Sequence, residues 1–76
     1  MFNNKKIHYY RVYFFDDVSN KEFQCLYHGE ISDAQTLRQA LCLCYPKFAI
    51  KVIKINKLDF LFELKHHSLL FIEKNT

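Results

Sequence analysis

The chain has 76 residues, half of them hydrophobic, and a net charge of +3. So apolar a sequence does not stay disordered, and its length fits a single small domain spanning residues 1–76. The charge is too mild for the dense basic stripe of a dedicated nucleic-acid binder. The only glycine, Gly29, excludes the glycine-rich loops that hold phosphates and dinucleotides.

The sequence predicts a cytoplasmic protein without metal or cofactor. No apolar run is long enough to span a membrane, and the basic start MFNNKK is not followed by the apolar segment and cleavage site of a secretion signal. Cys25, Cys42 and Cys44 are an odd number, which favours reduced thiols. The spacing of Cys42 and Cys44 is not the C-x-x-C spacing of a zinc or redox site.

The first half of the chain predicts a hairpin. Residues 7–15 are rich in aromatic and β-branched types, residues 22–28 form a second such run, and the polar stretch DDVSNK separates them. Because side chains alternate across a strand, the first strand has two aromatic faces. Tyr10, Val12 and Phe14 point one way, and Tyr9, Arg11 and Tyr13 point the other.

A helix is predicted over residues 33–44. Ser32 is placed to cap it, with Gln35 as the matching third residue of a capping box. Leu37 and Leu41 belong to an apolar stripe at helical spacing, and Pro46 ends the helix.

The rest of the chain predicts three more strands, over residues 48–55, 58–65 and 68–73. Turns are expected at Asn56-Lys57 and His66-His67, and LDFLFELK alternates apolar and polar residues. The predicted fold is therefore α+β, in the order β-β-α-β-β-β, an antiparallel sheet with one helix packed on one face and frayed ends at 1–5 and 74–76. The predicted core is Tyr10, Val12, Phe14, Leu37, Leu41, Phe60 and Phe62.

A single helix leaves the other face of the sheet open, and that face is the predicted binding site. Tyr9, Arg11 and Tyr13 are the first candidates, because aromatic residues and arginine are enriched at protein interfaces. The secondary candidates are Lys51, Lys54 and Lys65. Three alternatives stay open for this face: a protein partner, a second copy of the chain, and single-stranded RNA or DNA stacked on the aromatic rings.

We expect neither an enzyme nor a metal protein. The serines are typical of turns and caps, the acids fall on turns or solvent faces, and no serine, histidine and acid are arranged for nucleophilic catalysis. The rings of His66 and His67 diverge at a turn. His8 and His28 are predicted to be neighbours across the hairpin, as ordinary polar residues at strand ends.

The stretch from Ser32 to Glu73, interpreted as a capped helix followed by a three-stranded meander, resembles compact anti-CRISPR proteins directed at type I surveillance complexes. The similarity lies in the order of elements, and no site residue carries over. It implies a phage or mobile-element inhibitor that acts in the host cytoplasm. Such a protein occludes a host protein or ribonucleoprotein complex by direct contact and uses neither cofactor nor membrane.

Overall fold

The structure, a computed structural model, describes residues 6–66 and 70–73. In chain order its elements are β1 (His8–Asp16), β2 (Lys21–Gly29), α1 (Ala34–Cys44), β3 (Ala49–Ile55), α2 (Lys57–His66) and β4 (Leu70–Glu73). The predicted α+β class is confirmed, but the predicted order is wrong because a second helix replaces the strand at 58–65. The predicted frayed ends, 1–5 and 74–76, and His67 of the predicted turn lie outside the described residues.

The strands form one sheet in the order β3-β1-β2-β4. β1 lies between β3 and β2 and is antiparallel to both, while β4 is parallel to β2. The predicted antiparallel sheet is therefore confirmed for three strands and wrong for the fourth. The cause is α2, because a helix between two strands returns the chain to the same end of the sheet, so that β4 runs in the direction of β3.

The hairpin turn between β1 and β2 is organised by Asp16. Its Oδ1 accepts a hydrogen bond from the amide of Val18 at 3.1 Å, and its Oδ2 accepts one from the hydroxyl of Ser19 at 3.0 Å. Asn20 closes the turn with a φ of 58°, a left-handed conformation that asparagine tolerates better than most residues. The bond from Ser19 is the main cause that lowers the pKa of Asp16.

α1 is capped by Asp33 and not by the predicted Ser32. The amide and the hydroxyl of Thr36 both donate to Oδ2 of Asp33, each at 3.0 Å. A carboxylate at this position also suits the positive end of the helix dipole, which gives Asp33 the advantage over the neighbouring serine. The helix ends at Cys44, just before Pro46, as predicted.

α1 covers the face of the sheet that carries Tyr10, Val12 and Phe14. These side chains are buried against Leu37 and Leu41 of the helix. The hydroxyl of Tyr10 donates to the carbonyl of Ile31 and so ties the loop before α1 to the sheet. Five of the seven predicted core residues lie in this cluster.

The stretch predicted as a strand at 58–65 is α2, and Asn56 explains why. Its side-chain Oδ1 accepts from the amide of Asp59 at 2.7 Å, which satisfies one of the free donors at the start of the helix. Asp59 in the first turn and Lys65 in the last turn complement the helix dipole. The cap and the charged residues at the two ends favour a helix more strongly than the alternation of apolar residues favours a strand.

The helical conformation separates Phe60 from Phe62, which were predicted to share a core face. Residues two apart on a helix point about 200° away from each other. Phe60 is buried, but it faces the sheet side opposite α1, and Phe62 is exposed. The prediction of Phe62 as a core residue is therefore wrong.

The two helices cover opposite faces of the sheet. The connection from β2 to β3 crosses β1 in one direction, and the connection from β3 to β4 crosses back over β1 and β2. Crossovers between parallel strands are almost always right-handed, and two such crossovers that run in opposite directions must pass on opposite faces. α1 accordingly packs on the face of Tyr10 and α2 on the face of Tyr9.

Candidate functional site

Tyr9, Arg11 and Tyr13 share the sheet face away from α1, as the alternation along β1 predicts. In the antiparallel register Tyr13 lies between Gln24 of β2 and Lys51 of β3. Directly paired residues point to the same face of a sheet, so Lys51 joins this group. The predicted grouping of these side chains on one face is therefore confirmed, whereas the prediction that the face is open is wrong where α2 covers it.

The covered part begins at Tyr9. Its ring centroid lies 4.8 Å from that of Phe60 and 6.4 Å from that of His28, and Phe60 and His28 are themselves 5.6 Å apart. All three rings form one cluster between β1, β2 and α2. A partner could stack on Tyr9 only at an edge of this cluster, because Phe60 takes up the space above the ring.

Arg11 is also engaged by α2. Its Nε donates to Oε1 of Glu63 at 3.0 Å, and its Nη2 donates to Oε2 of the same carboxylate. The two side chains are 24% and 11% exposed. A two-contact pair between guanidinium and carboxylate has a defined geometry and holds the two groups in place. Arg11 therefore serves to anchor α2 on the sheet.

The uncovered part of the face lies toward the hairpin turn. Tyr13 is half-buried there, beside the exposed Lys51. Phe15 lies two residues further along β1 on the same face and is exposed. Of the three candidate residues on β1, Tyr13 alone has no aromatic or ionic contact with α2 among the described residues.

The other two lysine candidates lie elsewhere. Lys54 pairs with Tyr10 in the register, so it belongs to the face of α1, and its Nζ donates to the carbonyl of Ser32 at 3.0 Å. Lys65 lies in the last turn of α2 and is exposed. The predicted site residues thus occupy three places: the sheet beside and beneath α2, the edge next to the start of α1, and the outer surface of α2.

The outer surface of α2 carries a feature that the sequence analysis missed. Leu58, Leu61 and Phe62 are three and four residues apart, which places them on one side of a helix, and we call them the outer stripe. They are 78%, 46% and 57% exposed. Lys65 continues the same side, and the ring of Phe62 lies 4.5 Å from that of His66. The cap formed by Asn56 was the signal that could have revealed this helix and its stripe.

The histidines and cysteines that could serve as metal ligands do not come together as a group in the described residues. No group of three or more histidine, cysteine or acidic side chains in residues 6–66 and 70–73 is placed to hold a metal ion. His8 pairs with Gly29 and His28 with Tyr9, so the two histidines point to opposite faces and are not the neighbours that the sequence predicted. Burial raises the pKa of the Cys25 thiol to about 11, which makes it a poor nucleophile.

Neither helix in the described part of the chain combines the length and the apolar character that crossing a membrane requires. Comparison with protein-family models, with curated proteins and with solved structures finds no match to this chain.

Proposed function

We propose that the chain is a non-enzymatic binding protein of the cytoplasm, which docks the outer stripe of α2 into an apolar groove of a partner protein. The observation that carries this proposal is the exposure of Leu58, Leu61 and Phe62 on one side of a helix. Helices that bind in grooves present anchors at this spacing of three and four residues. Exposed apolar patches of this kind mark interaction sites on small proteins.

α2 is already folded and fixed in position before a partner binds. Phe60 and Glu63 fasten its inner side to the sheet, so its conformation does not have to form when the partner arrives. Binding of a helix that is already ordered avoids the entropy cost that a disordered segment pays. The outer stripe is therefore presented on a rigid support.

Charge favours a partner protein over a second copy. α2 exposes Lys57 and Lys65 against a single exposed acid, Asp59, because Glu63 is committed to Arg11. The whole chain carries +3. Two copies brought together through this face would repel each other, whereas an apolar groove rimmed by acidic residues would attract it.

Tyr13 and Lys51 extend the proposed surface. They lie on the side of the sheet that α2 occupies, so a partner that covers the outer stripe can also reach them. They retain the role that the sequence analysis gave to the aromatic face, while Tyr9 and Arg11 act by positioning α2.

The narrower proposal is that the partner is a host CRISPR-Cas complex of type I, which the chain inhibits by occlusion. It rests on the resemblance in element order described above. That resemblance assumed three strands after α1, where the chain has β3, α2 and β4. The exposed outer stripe therefore supports protein binding more strongly than the resemblance does. This support does not depend on the identity of the partner.

The test is capture from nuclease-treated bacterial lysate with three immobilised forms of the protein. These are the wild type, the variant L58A/F62A, and the control L43A, which removes an exposed leucine from α1. We expect one protein or complex to be retained by the wild type and by L43A and to be lost with L58A/F62A. Equal retention by all three forms would contradict the proposal.

Sedimentation velocity of the purified protein at two concentrations tests the alternative of a second copy. We expect a monomer at both. A dimer that L58A/F62A dissociates would show that the outer stripe binds another copy of the chain, and the proposed partner protein would then be wrong.

A further inference from the structure

An open cleft of about 410 Å³ lies where the start of β1 meets the end of β3 and the beginning of α2. It is lined by Lys6, Ile7, His8, Tyr9, Lys54, Ile55, Asn56 and Lys57. Its size is typical of sites for small organic ligands. Three lysines contribute to its wall, and none of the described lining residues is acidic.

The lysines of the cleft form no ion pair with an acidic side chain among the described residues. Lys6 and Lys57 form no ion pair with any described residue, and Lys54 donates to the carbonyl of Ser32, which carries no net charge. Like charges that converge in one cleft repel each other, and an anion between them removes that repulsion.

Two further features support a positive potential at this place. Burial, Lys54 and Lys6, in that order, lower the pKa of His8, so the cleft disfavours another positive charge. Asn56 and Lys57 are also the residues at which α2 begins, and the positive end of the helix dipole lies there. Lys6 lies just before β1, His8 begins β1, Lys54 lies in β3 and Lys57 begins α2, and all of them line one cleft.

We propose that this cleft binds a phosphate group, held by Lys6, Lys54 and Lys57. The apolar side chains of Ile7, Ile55 and Tyr9 provide a wall for the organic part of a ligand, which favours a nucleotide over free phosphate. A free nucleotide and a nucleic-acid strand present this same chemistry. The proposal is independent of the outer stripe, because the cleft includes none of its residues.

The test uses AMP as the probe and the imidazole of His8 as the reporter. The pH titration of His8 is followed by NMR in the full chain, with and without AMP, and sodium chloride keeps the ionic strength equal. Bound phosphate stabilises the imidazolium form, so we expect AMP to raise the pKa of His8 above its value in chloride alone. An unchanged pKa together with unchanged amide signals around the cleft would overturn the proposal.

Two variants distinguish binding in the cleft from nonspecific attraction of AMP to the positively charged protein. K6Q/K57Q removes two exposed lysines of the cleft, and K47Q removes an exposed lysine at the other end of the sheet. We expect AMP to bind K6Q/K57Q at least roughly tenfold more weakly, since each lost charged contact is worth a factor of this order. K47Q should bind as the wild type does, and equal weakening in both variants would overturn the proposal.

A short oligothymidylate identifies the source of the phosphate. Tighter binding of the oligonucleotide than of AMP, lost in K6Q/K57Q, would assign the cleft to the backbone of a nucleic-acid strand. Binding of AMP that is equal or tighter would assign it to a free nucleotide. Failure of both probes to bind would show that the cleft is not a phosphate site.

Discussion

Arg11 in β1 and Glu63 in α2 are 52 positions apart in the chain and form a two-contact ion pair that joins the second helix to the sheet. Three residues earlier on α2, Phe60 packs on the ring of Tyr9, two residues before Arg11 on β1. One ionic and one aromatic contact therefore fix α2 along β1 within a single helical turn. The position of the outer stripe depends on both.

We expect Glu63→Gln to destabilise the protein by about 1–3 kcal/mol, because it leaves the partly buried Arg11 without a charged acceptor. Hydrogen exchange should increase most in α2. The free energy of unfolding in urea and the exchange rates of α2 amides measure the two effects. Glu22→Gln, at an exposed position of β2, is the matched control. A loss no larger than that of the control would show that the pair contributes nothing.

Replacement of both partners should be less harmful than replacement of one. In the variant Arg11→Met with Glu63→Leu, neither side chain buries a charge, and apolar replacements of a buried ion pair are often neutral. We expect the double variant to recover most of the stability lost in Glu63→Gln. If the separate losses from Arg11→Met and from Glu63→Leu added up to the loss in the double variant, the two residues would act separately.

Phe60→Ala and Phe62→Ala should differ strongly, although the residues are two positions apart. Phe60 is 4% exposed, and its truncation should cost about 3–5 kcal/mol. Phe62 is exposed, and its truncation should cost less than about 1 kcal/mol. Urea denaturation of the two variants measures the difference. Equal losses would indicate the alternating strand of the sequence prediction and not α2.

The structure explains why the sequence predicted the first half of the chain better than the second. The hairpin and α1 have strong local signals, namely the aromatic runs, the polar turn and Pro46. In LDFLFELK, Leu61 is apolar as well as Phe60 and Phe62, so the pattern fits both a strand and a helix. Asn56 followed by Asp59 was the cap that could have decided between them.

The sequence predicted which side chains share a face of β1, but it did not predict that α2 covers part of that face. The alternation that grouped Tyr9, Arg11 and Tyr13 is a local property of β1 and was correct. Whether their face is covered depends on α2, and Glu63 was assigned to the solvent side of a strand. The parallel pairing of β4 follows from the same helix, so one missed element accounts for the wrong sheet topology and for the covered site.

The buried thiol of Cys25 and the exposed thiol of Cys44 should differ in reactivity. Cys25 is buried with a pKa of about 11, whereas Cys44 is exposed. Labelling of the folded protein with iodoacetamide, followed by mass spectrometry, should modify Cys44 rapidly and Cys25 only on unfolding. Cys44→Ser should remove the fast phase. Labelling of Cys25 as fast as Cys44 would show that β2 opens readily.

The same burial predicts a loss of stability at alkaline pH. The pKa of Cys25 is raised from the ordinary 9.0 to about 11, and burial also raises those of Tyr10 and Tyr27. Because the unfolded thiol ionises first, stability is intact below about pH 9 and falls as the pH rises toward about 11. Urea midpoints across this range measure the slope. A flat profile would contradict the burial of these groups.

Asn56 links the stability of α2 to the proposed phosphate cleft, and two substitutions separate its roles. Asn56→Ala removes the acceptor for the amide of Asp59 and should cost about 1 kcal/mol, with faster hydrogen exchange in α2. Asn56→Asp keeps an acceptor at the helix start and should preserve α2, but it adds a negative charge to the cleft and should weaken AMP binding. Exchange rates and AMP titrations on both variants distinguish the two effects. If Asn56→Asp bound AMP as well as the wild type, the start of α2 would lie outside the phosphate site, and Lys6 and Lys54 alone would have to hold the ligand.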